Sequence, residues 1–88
     1  METRVAVLSI IVSDGTSIQR MNEIMHDYAP YVIGRMGIPY RARNVNIISV
    51  AVDAPKETIS ALSGKIGRLA GVSSRVTYAN IPSGESPD

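Results

Sequence analysis

Residues 33–55 read IGRMGIPYRARNVNIISVAVDAP, and the way this stretch folds back on itself decides the architecture. Residues 31–40 read as a strand weakened by Gly34 and Gly37, RARN at 41–44 is a polar turn, and 45–52 is a run rich in β-branched side chains. Two extended runs joined by four polar residues make a β-hairpin. Everything else in the chain is then placed by what precedes and follows that hairpin.

On the N-terminal side, RVAVLSIIV at 4–12 is a β-branched run that stops at Ser13-Asp14-Gly15, a strand ended by a turn. Thr16 and Gln19 have the spacing of a capping box, which predicts that a helix starts here. Ile18, Met21, Ile24, Met25 and Tyr28 then recur on one side of that helix, while Gln19, Arg20, Glu23, His26 and Asp27 take the other, and Pro30 limits its length. On the C-terminal side, Pro55 suits a first helical turn, and Ile59, Leu62, Ile66 and Leu69 follow at helical spacing. Gly71 closes this second helix, 72–78 alternates as a last strand, and residues 80–88 have the composition of a flexible tail behind a single domain at 1–79. The order is strand, helix, strand, strand, helix, strand. It predicts an α+β, ferredoxin-like βαββαβ sandwich, a four-stranded antiparallel sheet with two helices on one face.

Period-two alternation assigns the faces of the central strands. Leu8, Ile10 and Val12 share a side, as do Ile48, Val50 and Val52, and these form the surface under the helices. The opposite side carries Val5, Val7, Ser9 and Ile11 beside Val45, Ile47, Ser49 and Ala51. That is too apolar for a sheet that faces water and small enough at its serines for a close partner. A homo-oligomer, dimer or tetramer, is therefore expected, with Val7, Ser9, Ile11, Ile47, Ser49 and Ala51 as its interface.

Composition removes whole classes of function. Eighty-eight residues bury only about 60 to 65% of the surface an unfolded chain exposes, so the core is thin and a partner would help it. Nine Lys and Arg against eight Asp and Glu leave +1, no field to draw in nucleic acid or an acidic membrane. Without cysteine there are no disulfides, thiolate metal sites or thiol nucleophiles. The apolar run at 5–12 is short and lacks a cleavage pattern, so a cytoplasmic location is expected.

Site chemistry narrows the rest. RNA binders of this fold stack bases on aromatics in the central strands, but VNIISVAV has none, and Tyr28, Tyr31, Tyr40 and Tyr78 fall at element ends. A DNA-reading element is not expected either, since strand one begins within three residues of Met1. GRMGIPYR at 34–41 is similar to the phosphate cradle of acylphosphatases, yet it follows helix one instead of linking strand one to it. His26 with Glu23 and Asp27 on one helix surface reads as a solvated face, not a metal site. No catalytic residue, metal or cofactor is expected.

YVIGRMGIPYR, NIISVAVDAP and ISALSGKIGRLAGV closely resemble the iron-only hydrogenase system regulators, a small ACT-like family, and the likeness runs from strand one to Tyr78. Gly64 and Gly67 lie inside a helix in its strongest piece, ALSGKIGRLAGV, and imply helix-to-sheet contact. The resemblance implies an ACT-like fold, self-association and a non-enzymatic regulatory role tied to a hydrogenase. In ACT domains small ligands such as amino acids bind near the turn after strand one and at subunit contacts. The matching positions are Asp14, Gly15 and Thr16, with Arg35 and Gly37 on the hairpin. The fold is shared with nickel-responsive repressors, whose Cys and His set this chain lacks. A small-molecule sensor is expected, and an oligomeric protein-binding scaffold without a ligand is the alternative.

Overall fold

The structure is a computed structural model that describes residues 2–80. Strand β1 spans Arg4–Val12, helix α1 Ile18–Asp27, strand β2 Val32–Tyr40, strand β3 Val45–Ala54, helix α2 Lys56–Gly67 and strand β4 Val72–Tyr78. The expected order holds throughout. Residues 81–88, most of the expected tail, lie outside the described residues.

The sheet runs β2-β3-β1-β4 with every neighbouring pair antiparallel. Alternation along β1 buries Ala6, Leu8, Ile10 and Val12, and along β3 it buries Ile48, Val50, Val52 and Ala54. Met21, Ile24 and Met25 of α1 and Ile59, Leu62 and Ile66 of α2 complete one cluster with them, so both helices cover the same face. Each helix buries a single stripe, as its apolar spacing requires.

The helix entries differ from the sequence reading. Thr16 is not a capping residue: a single 3-10 turn at Gly15–Ser17 precedes α1, and Asp14 caps it. The Asp14 carboxylate accepts from the Thr16 backbone N–H at 3.0 Å and from the Thr16 hydroxyl at 2.6 Å. Aspartate directly after a strand outcompetes threonine because its oxygen reaches the free donors two residues on. Pro55 stands one position outside α2 with extended ψ, and its carbonyl accepts the first helical bond from Ile59 at 3.1 Å.

The β1–α1 loop is tied to the α2–β4 turn. The Ser13 N–H donates to Gly71 O at 2.7 Å, the Ser13 hydroxyl to the same oxygen at 3.0 Å, and the buried Ser17 hydroxyl to Ala70 O at 2.6 Å. Gly71 has φ +68°, and a β-carbon there would come within 2.5 Å of Asp14 Cβ. This glycine is required by both conformation and space. Gly67 faces Ser74 of β4 at ordinary contact distance, as the helix-to-sheet reading expects, whereas a β-carbon on Gly64 would meet only the Arg68 side chain.

Candidate functional site

β2 decides what the two faces of the sheet can do. Its ladder with β3 pairs Val32 with Val52 but Gly34 with Ala51, so Ile33 is an extra residue, a β-bulge. One inserted residue reverses the phase of a strand. Beyond the bulge Met36, Ile38 and Tyr40 therefore stand opposite Ser49, Ile47 and Val45 on the open face, while Arg35 stands opposite the buried Val50 on the helix side.

The open face is continuous. Cross-strand pairs Val7–Ala51, Ser9–Ser49 and Ile11–Ile47 form its centre. Val7, Ile11, Met36, Ile38, Tyr40 and Ile47 are all large apolar side chains left exposed there, Met36 to 60% and Ile38 to 49%. Scattered exposed apolar residues are ordinary, but six on one surface are not. Along β4 the same face turns polar, with Ser73, Arg75 and Thr77 paired to Ile11, Ser9 and Val7. The apolar area is thus centred on β3. All six residues expected at an interface lie on this face, and three more on β2 join them. Those three alternate in the sequence, a signal that becomes usable only when the bulge has fixed their phase.

The residues expected at a ligand site are dispersed. Asp14 and Thr16 satisfy one another, and the Thr16 hydrogen bonds hold the Asp14 carboxyl below its ordinary value of 3.8. Gly15 borders a shallow depression along α1, with Ile18, Gln19, Asn22, Glu23, His26 and Asp27. Arg35 instead lines a cleft of about 280 Å³ between α1 and β2, with Asn22, Met25, His26, Ala29 and Val32. Gly37 pairs with Ile48 and borders neither. Asn22 and His26 are shared by both depressions, a juxtaposition that comes from helical spacing of four and had no ligand reading in the sequence.

Chemistry elsewhere is limited. Among the described residues no three His, Asp or Glu side chains gather into a metal-holding group. The acylphosphatase-like GRMGIPYR lies within β2 and its turn, away from the β1–α1 connection. Tyr28, Tyr31, Tyr40 and Tyr78 sit at or beside element ends, with Tyr78 under the Arg4 guanidinium at 4.8 Å. No helix among the described residues is long and apolar enough to cross a membrane.

With this geometry in hand, comparison with known proteins is specific. A family described as "TM1266-like: Iron-only hydrogenase system regulator, putative" matches residues 4–76. The solved structure of the uncharacterized protein TM1266 from Thermotoga maritima is similar with a TM-score of 0.86 and 31% sequence identity, covering 90% of this chain and 100% of that one. No curated protein matches.

Proposed function

Because this chain belongs to the TM1266-like family of iron-only hydrogenase system regulators, we propose that it is a non-enzymatic, cytoplasmic regulatory module that works as an oligomer through its open sheet face and responds to a small molecule. The observation that carries the reading is the row of exposed apolar side chains on β1, β2 and β3. A second copy of the chain is the occupant that suits it. Four strands at about 4.8 Å spacing and nine residues at about 3.3 Å rise span roughly 19 by 30 Å, or nearly 600 Å² in plan. Two such faces cover roughly 1,100 Å² in plan, just under the lower bound of about 1,200 Å² for specific interfaces. A two-fold axis over β3 would suit the off-centre apolar area, bringing Ile47 near its own copy and leaving the polar β4 at the rim.

Light scattering behind a sizing column tests the assembly, with a mass of two chains or a multiple expected at micromolar concentration. A thermal-shift screen of amino acids and other small metabolites tests the sensing, because a ligand that binds only the folded form raises the melting temperature. An oligomer that no small molecule stabilises would establish the scaffold reading instead. A single-chain mass would overturn the assembly.

A further inference from the structure

Among the described residues Arg35 has no carboxylate partner. The one ion pair among the described residues joins Arg20 to Glu23 at 3.1 Å, and Arg35 makes a single long hydrogen bond, from Nη2 to Asn22 Oδ1 at 3.4 Å. That contact exceeds the usual N–H···O range and leaves most of the guanidinium fork free. It also orients Asn22 with its carbonyl toward Arg35, so the amide N–H groups remain available as donors. His26 adds a ring on the same rim.

The cleft beneath these groups contains no acid. Asn22, Met25 and His26 of α1 and Ala29 just beyond its end line it, whereas Glu23 and Asp27 line only the adjoining depression along α1. Val32, Met25 and Ala29 supply the apolar part of the cleft lining. At about 280 Å³ the space falls just under the range of about 300–1,000 Å³ typical of drug-sized ligands. One guanidinium balances one negative charge, and its planar fork matches a carboxylate in a bidentate pair.

We propose that the α1–β2 cleft binds a small organic monocarboxylate, its head on Arg35 and Asn22 and its short apolar tail on Met25, Ala29 and Val32. The inference rests on the sensing role proposed above and gives that role a site and a ligand class.

Titration of the full chain with butyrate, followed by backbone amide NMR, tests it. Saturable shifts are expected at Asn22, His26 and Arg35. The neutral isostere butyramide and inorganic phosphate should each bind at least tenfold more weakly, and Arg35→Gln should weaken butyrate at least tenfold with its fold intact by circular dichroism. Arg68→Gln, on the end of α2, should bind as the wild type does. Equal binding of butyramide, tighter binding of phosphate, shifts centred elsewhere, or unchanged affinity in Arg35→Gln would each overturn the site. A metabolite that stabilises wild type and Arg35→Gln equally keeps the sensing role and removes this cleft from it. If no small molecule stabilises the protein, the sensing role itself fails.

Discussion

Ser9 of β1 pairs directly with Ser49 of β3 in the middle of the open sheet face, flanked along the strands by the Val7–Ala51 and Ile11–Ile47 pairs. Two small side chains therefore sit where the apolar surface is flattest, and a partner sheet can approach closely there. Stacked sheets pack about 10 Å apart, which leaves no room for a long charged side chain at the centre.

Ser49→Arg is accordingly expected to shift the protein toward monomer and to lower its melting temperature, since association stabilises the folded state by mass action. Met36→Lys should do the same from β2, while Glu85→Ala, outside the described residues, should do neither. Light scattering combined with thermal melts reads both effects. Unchanged assembly and melting in Ser49→Arg would show that this face is not the interface.

Gly71→Ala is expected to destabilise the fold by about 1–3 kcal/mol or more, because it combines a positive φ with a β-carbon 2.5 Å from Asp14 Cβ. At Gly34 no atom lies within 4 Å of the added carbon and φ is not in the left-handed region, so Gly34→Ala should change stability by less than about 1 kcal/mol. Urea denaturation of the two variants separates them. Equal losses would mean that the tie between the two loops carries no weight.

Acid should weaken the β1–α1 loop in a defined direction. The Asp14 carboxyl titrates below 3.8 because Thr16 donates its hydroxyl and its backbone N–H to the ionised form. A depressed folded value means that the contribution is fully present above the ordinary aspartate range and is lost as pH falls through the lowered value. The melting-temperature difference between wild type and Asp14→Asn should therefore shrink as pH is lowered from 6 toward 2. A difference that stays constant over that interval would contradict the assignment.

Leu62→Ala should cost about 2–5 kcal/mol, since Leu62 is 1% exposed against the sheet and its removal leaves a cavity in a thin core. Ile33→Ala, at the exposed bulge, should stay within about 0.5 kcal/mol. Chemical denaturation with a shared slope checks the pair.

Acetyl phosphate should not be hydrolysed above background, because the cradle-like GRMGIPYR is extended along β2 and its turn, paired on one side to β3, and its backbone donors do not converge on a helix start. Turnover that disappears in Arg35→Ala would show otherwise.

The sequence alone determined the element order, the hairpin at its centre and the two faces of β1 and β3. These follow from local rules: Leu8, Ile10 and Val12 must share a side because successive residues of a strand alternate, and Ile59, Leu62 and Ile66 must share a stripe because a helix turns every 3.6 residues. Only the tertiary structure decided the phase of β2. Whether Arg35 or Met36 faces the helices depends on one extra residue at Ile33, and a bulge is set by how β2 meets β3 and the helix above it, not by the composition of β2 itself. The clasp between Ser13 and Gly71 was hidden for the same reason: its partners are 58 residues apart, and no local pattern records that two distant turns will end side by side. The same limit applies to the cleft, where Asn22 and Arg35 become neighbours only when α1 has been laid beside an edge strand whose bulge turns the arginine toward it.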